Sequence, residues 1–363
     1  MGHATVVTRY WHRTGDGRVQ CDVCPRACRL QEGQRGFCFV RMRHQDAVVL
    51  TTYGRSSGYC VDPIEKKPLN HFLPGSAVLS FGTAGCNLGC RFCQNWDISK
   101  AREIDRLQDS ATPAEIARRA VQLGCRSVAF TYNDPVIFAE YALDVADACH
   151  ALGVHTVAVT AGYIQPEPRR EFYAQMDAAN IDLKGFTEDF YTRLTLSHLK
   201  PVLETLEYVQ HHTRTWLEIT TLLIPGYNDG DEELQALSRW VHEHLGPDVP
   251  VHFTAFHPDY KLTDVAPTRK ATLRRARALA LAEGLRFVYT GNVHDREGDA
   301  TVCPECGAML IARDWYEILD YQLRPDGCCP GCGERLPGVF AAQAEHFGSR
   351  RVPVVLGARE RRP

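Results

Sequence analysis

The chain has 363 residues, 44% apolar and 23% charged, with a net charge of −3. This leaves room for one large domain with small appendages, and gives no basic excess to draw nucleic acid or an anionic membrane. Met1–Arg13 carries Arg9, His12 and Arg13 without the apolar stretch of a signal peptide, and no apolar run reaches transmembrane length, so a soluble cytoplasmic protein is expected.

Fifteen cysteines fall into three clusters plus the strays Cys60, Cys125, Cys149 and Cys328. Their short C-x2-C spacings suit metals better than disulfides, and a reducing compartment keeps them as thiols. The first cluster is Cys21-x2-Cys24-Pro25-Arg26-x-Cys28-x9-Cys38. Pro25, Gly33 and Gly36 mark it as a ligand-bearing loop. Four thiolates there fit structural zinc or an auxiliary iron–sulfur cluster, and a C-x2-C pair with a distant fourth ligand is common in zinc knuckles. The segment Asp62–Gly75 follows, with three prolines. It reads as an ordered linker whose Glu65, Lys66, Lys67 and His71 either reach toward the next cluster or face solvent.

The second cluster, Cys86-x3-Cys90-x2-Cys93, leaves the apolar run Ala77–Phe81. That run reads as a strand, so the thiols sit in a loop at its C-terminal end. Three thiolates hold three irons of a [4Fe–4S] cubane and leave the fourth iron open to an exogenous ligand. From residue 76 to about 290 the chain alternates strand candidates with amphipathic helical stretches. The strands are expected at 77–82, 127–132, 154–160, 179–184, 215–223, 250–256 and 286–290, and the helices at 113–123, 136–151, 230–245 and 268–283. Thr112-Pro113 supplies a cap and a first-turn proline, and Gly124 and Gly284 close helices. Repeated βα units imply a parallel sheet, here a partial (β/α)6 TIM-like barrel, with chemistry at the C-terminal strand ends. Polar residues stand there: Asn133-Asp134, Tyr163, Asp182-Leu183-Lys184, Glu218 and Thr220, Asn228 and His257.

The third cluster, Cys303-x2-Cys306 and Cys329-x2-Cys332, reads as a zinc ribbon, with Cys328 a bystander. The expected units are an N-terminal Cys-rich segment (1–60), a barrel (61–295), a C-terminal ribbon (296–340) and a mobile tail (341–363) carrying Arg350, Arg351, Arg359, Arg361 and Arg362.

The Cys86, Cys90, Cys93 motif, with Phe92 before its third cysteine, resembles the signature of the radical S-adenosylmethionine (SAM) superfamily. The resemblance implies a [4Fe–4S] cluster whose free iron is chelated by SAM. One electron then splits SAM into methionine and a 5′-deoxyadenosyl radical, which abstracts hydrogen from a substrate. The order of segments is similar to pyruvate formate-lyase activating enzymes. That similarity implies Asn133 and Asp134 near the SAM amino group, Asp182 and Lys184 near its ribose and carboxylate, and His257 near the adenosyl end. Here Tyr132-Asn133-Asp134-Pro135 stands where that family more often shows Gly-Gly-Glu-Pro. The N-terminal Cys-x2-Cys-Pro-Arg-x-Cys, Glu65-Lys66-Lys67-Pro68, Phe256–Tyr260, Gly291-Asn292-Val293 and the ribbon occur together with this motif. The set resembles the radical SAM enzymes of the AmmeMemoRadiSam system, which implies AMMECR-domain and Memo-like partner proteins and a flavodoxin- or ferredoxin-type reductant. The substrate, small molecule or protein, is not fixed by these motifs.

Two other readings are a nucleic-acid-binding zinc-ribbon protein, disfavoured by the near-neutral charge, and an electron carrier with several clusters, which has no use for the polar strand ends. If the ribbon is structural, a Cys303→Ala, Cys306→Ala variant loses zinc and stability while keeping its cubane iron, as metal analysis and thermal unfolding will show.

Overall fold

The structure, a computed structural model, describes residues 5–100, 107 and 109–356. Seven parallel strands, Ala77–Phe81, Ser127–Phe130, His155–Thr160, Ala178–Asp182, Trp216–Leu223, Val251–Ala255 and Val288–Gly291, lie side by side in chain order. Most of their residues are buried, as expected of parallel strands covered on both faces. The crossovers carry the helices Pro113–Gln122, Ala139–His150, Pro166–Ala174, Leu199–His212, Asp231–Leu245 and Lys270–Ala282. Six βα units and a last strand, with antiparallel Tyr59–Pro63 and Val352–Val354 added beside the first, form a mixed sheet consistent with a partial TIM-like barrel.

Local sequence sets several boundaries. Thr112 accepts from the Glu115 amide while the Glu115 carboxylate accepts from Thr112, a reciprocal cap that starts Pro113–Gln122. Gly124 and Gly284 follow their helices at positive φ. The helix expected at 136–151 begins instead as a 3₁₀ turn, Pro135–Phe138, capped by Asp134, before the α-helix Ala139–His150.

Three expectations about the ends are corrected. The boundary at residue 60 falls inside a strand, Tyr59–Pro63, which pairs antiparallel with Ala77–Phe81 and belongs to the central sheet. The N-terminal segment is no separate unit either, since Val19, Val23, Leu30 and Val40 share one apolar core with the barrel. The tail does not hang free: Val352–Val354 adds an outermost strand against Tyr59–Pro63, and the Arg351 guanidinium bonds Cys60 Sγ at 3.0 Å. Arg359, Arg361 and Arg362 lie outside the described residues. The ribbon has a small core of its own, into which Phe287 and Tyr289 of the barrel pack. Among the described residues, no helix is long and apolar enough to cross a membrane.

A buried ion pair joins the N-terminal segment to the barrel. The Arg41 guanidinium, fully buried, bonds both carboxylate oxygens of Glu140 and the Ile137 carbonyl. Removing one partner strands a charge without water. Glu140→Ala is expected to cost about 3–5 kcal/mol in urea unfolding, far more than loss of an exposed pair such as Arg193–Asp189.

Candidate active site and metal centres

A cavity of about 650 Å³ opens inside the barrel from the C-terminal strand ends, and Cys86, Cys90 and Cys93 all line it. Their loop is irregular and is held from outside. Asn133 Oδ1 accepts from the Thr83 amide at 3.0 Å and its Nδ2 donates to the Gly85 carbonyl at 2.8 Å. The Gly89 and Arg91 amides donate to the Thr195 and Leu194 carbonyls at 2.7 and 2.9 Å, and Lys100 Nζ to the Leu88 carbonyl at 2.7 Å. Gly89 packs closely under Leu196: a Cβ there would lie 2.6 Å from Leu196 Cδ1, so that side chain would have to move. Phe92 is buried behind the third cysteine, 5.9 Å from the Phe190 ring. Burial pushes the Cys90 thiol up to about 12, with Lys184 opposing. A free thiol is therefore favoured at neutral pH, and metal must displace its proton. Three soft sulfur donors converging on one open cavity fit the three-point attachment of a cubane.

The structure brings most of the sequence-predicted polar residues to this cavity: Asn133, Asp134, Asp182, Lys184 and Thr220. Asp182 Oδ2 and Lys184 Nζ form a 2.7 Å ion pair. Burial opposes the lysine's charge, but Asp182 and Cys90 outweigh it and raise its pKa. Asn133 spends both ends of its amide on the cysteine loop. Asp134 accepts from the Val136 and Ala161 amides and the Thr160 hydroxyl, each at 3.0 Å. Both are thus committed to holding backbone in place. His257 stays exposed, 2.9 Å from Gln94 Nε2, and does not line the cavity. Tyr163 lies outside it too, and Asn228 braces its own turn by bonding the Ile224 amide and the Lys184 carbonyl.

The linker forms a wall of the cavity through Glu65, Lys66, Lys67, Pro68 and Asn70. Lys67 Nζ and the Tyr132 hydroxyl both bond Asp62 Oδ2 at 2.7 Å. Burial alone would raise Asp62, yet Lys67 and Tyr132 hold it down at about 2. His71, expected either near the cluster mouth or in solvent, does neither: it is buried under the ribbon, between the Pro337 carbonyl and the Tyr289 hydroxyl. Glu218 points to the linker, accepting from the Asn70 and His71 amides and facing His252 at 2.7 Å.

Sequence reasoning missed the far wall: His252, Thr254, Thr290, Asp299, the hairpin tip Trp315-Tyr316 and Arg351. A signal existed for the strand residues. Polar side chains at every second position of otherwise apolar runs, His252 and Thr254 or Glu218 and Thr220, mark strands facing a polar interior. Nothing in the local pattern shows that the ribbon tip and the tail reach in.

The ribbon thiols Cys303, Cys306, Cys329 and Cys332 all lie within 4.8 Å of one another, with Sγ–Sγ contacts of 3.5 and 3.6 Å. Tetrahedral thiolates about 2.3 Å from one ion stand roughly 3.8 Å apart, so a single metal fits. The N-terminal thiols Cys21, Cys24, Cys28 and Cys38 line one small cavity with Arg26, Arg41 and Asn87.

Glu65 generates a pH prediction. Its Oε1 accepts from the Gly75 amide at 2.7 Å, Oε2 has no partner, and burial pushes the carboxyl from 4.5 up to about 7. Between about 4.5 and about 7 the unfolded chain has released a proton that the folded chain still holds. Rising pH therefore costs stability across that window. Glu65→Gln lacks this cost, so its stability relative to wild type should grow through the window, by roughly 3 kcal/mol at most, and level off above it. Urea unfolding at a series of pH values measures this.

Comparison with known proteins agrees with the site. Residues 81–238 match the radical SAM superfamily. An uncharacterized protein of Methanocaldococcus jannaschii is 40% identical over 331 residues, 90% of this chain and 97% of that one. Pyruvate formate-lyase 1-activating enzyme of Escherichia coli is 22% identical over 232 residues, 60% of this chain and 93% of its own. The crystal structure of a radical SAM methyltransferase from Sphaerobacter thermophilus aligns with a TM-score of 0.49 at 15% identity, over 84% of this chain and 81% of that one. With three thiols on one loop at the mouth of a βα barrel and this kinship, the chain belongs to the radical SAM superfamily.

Proposed function

We propose that this enzyme binds a [4Fe–4S] cluster at Cys86, Cys90 and Cys93 and SAM beside it, and abstracts hydrogen from a small polar substrate in the barrel. The observation that carries this reading is the convergence of the three thiols and the Asp182–Lys184 pair on one cavity. Its volume, about 650 Å³, lies within the range of small-molecule sites and leaves room beside SAM for a substrate of modest size. When bound, the cluster supplies the single electron that breaks the sulfonium C–S bond. The rest is the work of the chain. Lys184, kept charged, meets the SAM carboxylate, and Asp182 accepts from the ribose hydroxyls. Phe92 shields the cluster side from water. Asn133 and Asp134 act by fixing the loop and the strand end, and His257 acts from the rim through Gln94.

On the far side, Glu65 Oε2 and Thr220 Oγ1 are buried, line the cavity and lack protein partners. Buried polar atoms want partners, so the substrate offers groups there that can both donate and accept, as hydroxyls do. The ribbon holds zinc and the N-terminal cysteines a further metal centre. The likeness to pyruvate formate-lyase 1-activating enzyme supports a second reading, in which a segment of a partner protein receives the radical. Membership of the AmmeMemoRadiSam group would make AMMECR-domain and Memo-like proteins the partners to try, with a flavodoxin- or ferredoxin-type reductant.

Anaerobically reconstituted protein with dithionite is expected to form 5′-deoxyadenosine from SAM, and Cys90→Ala to abolish it. Wild-type turnover in that variant sinks the assignment. Lys184→Met should keep its iron and weaken SAM binding about ten- to a hundredfold, the worth of one charge-assisted contact. Running the assay with and without the candidate partners separates a protein substrate from a small molecule.

A further inference from the structure

We infer that Arg351, carried in by the tail, is an anion-binding residue of the active-site cavity, and that the substrate carries a carboxylate or phosphate group that docks on it. Arg351 lines the cavity together with Lys66 and Tyr132. Its guanidinium is oriented without being used up. Nε donates to Cys60 Sγ at 3.0 Å, and Cζ stands 5.6 Å from the centroid of the Tyr132 ring. Among the described residues, the two Nη groups have no hydrogen-bonding partner. A guanidinium held at Nε presents its Nη groups as a planar fork, which matches two oxygens of a carboxylate or phosphate.

The ring beneath the fork is kept at a cost. Tyr132 has φ +70°, a left-handed backbone that a bulky residue rarely adopts and glycine adopts freely. Strain of this kind persists only where the surroundings impose it, and it clusters at ligand sites. Here the Tyr132 hydroxyl donates to Asp62 Oδ2 at 2.7 Å, and Lys67 Nζ lies 5.0 Å from the ring centroid. The ring thereby ties the linker to the tail and offers both cations its electron-rich face.

Charge on this wall is left unbalanced. Lys67 Nζ bonds Asp62 Oδ2 at 2.7 Å, and Lys66 Nζ stands 3.5 Å from Oδ1 of the same carboxylate. Lys66, Lys67 and Arg351 are three cations around that one carboxylate. Glu65 and Asp299, elsewhere in the cavity, are pushed up to about 7 by burial, so they oppose an anion less than ordinary carboxylates do. The surplus is positive, and a bound oxyanion offsets it.

On the reading above, the SAM carboxylate is met by Lys184, which follows Ala178–Asp182. Arg351 precedes Val352–Val354, with four strands of the sheet between the two. The fork is therefore free for a second ligand. With hydroxyls toward Glu65 and Thr220 and an oxyanion toward Arg351, the substrate class is a small hydroxylated acid or phosphate ester.

Giving the anion to the substrate rests on the radical SAM reading; the binding of an oxyanion does not. Inorganic phosphate and malonate are titrated calorimetrically into the reconstituted full chain, with and without SAM, at constant ionic strength. Wild-type protein should bind at least one of the two, equally well in both conditions, and the tighter of them tells a phosphate from a carboxylate. Arg351→Gln should weaken that binding at least tenfold, the worth of one charge-assisted contact, with iron content and thermal unfolding unchanged. Arg351→Lys, which restores the charge, should bind more tightly than Arg351→Gln. Absence of binding to wild type, or equal binding by Arg351→Gln, overturns the inference. So does abolition by SAM, which would give the fork to the SAM carboxylate. If the anion binds as stated but the protein cleaves no SAM with dithionite, the radical SAM reading fails and the anion subsite stands.

Discussion

The loop that presents Cys86, Cys90 and Cys93 makes almost no regular backbone pairing within itself, so its shape is imposed by neighbours. Asn133 ties down Thr83 and Gly85, the Leu194–Thr195 carbonyls hold Arg91 and Gly89, Lys100 holds Leu88 and Arg26 holds Asn87. Buried backbone groups must find partners, and here each partner also fixes a position. The loop is thereby set to the barrel strand ends, the N-terminal segment and the turn before Leu199–His212 at once. Every other feature of the site inherits its geometry from that arrangement.

A partial barrel leaves a lateral gap, and the chain closes it with pieces from distant parts of the sequence. The linker supplies Glu65 to Asn70, the ribbon its hairpin tip Trp315-Tyr316, and the tail Arg351. Their polar groups are only partly compensated. Asp299, like Glu65, is pushed by burial up to about 7. Asp62 is the contrast, ionised because Lys67 is locked beside it. The cavity thus carries two carboxyls, Glu65 and Asp299, whose charge burial disfavours, with the Asp62–Lys67 pair packed behind the linker, a surface suited to a ligand with several hydrogen-bonding groups.

Much of this was legible in the residues. The strand positions came through within a few residues because parallel strands read as short apolar runs, and the Thr112-Pro113 cap and the glycine stops were chemically explicit. The thiol clusters were legible because spacing is itself the information. What stayed hidden depends on tertiary placement. Asn133 and Asp134 have the right address, yet local amides consume their hydrogen-bonding capacity, which no linear pattern reveals. His71 looks like a site residue by proximity in sequence and is carried away because the ribbon packs over it. Val352–Val354 escaped notice because a strand of three residues is too short for a period to show.

The outermost strand has a consequence for how copies of this protein meet. An open sheet ends in unpaired amides and carbonyls, which invite a neighbouring chain to continue the ladder. Val352–Val354 spans only three residues, and its middle one is Pro353, which has no amide hydrogen to donate. That margin is too short and too poor in donors to template growth, so the sheet can remain unclosed without becoming a nucleus for edge-to-edge aggregation.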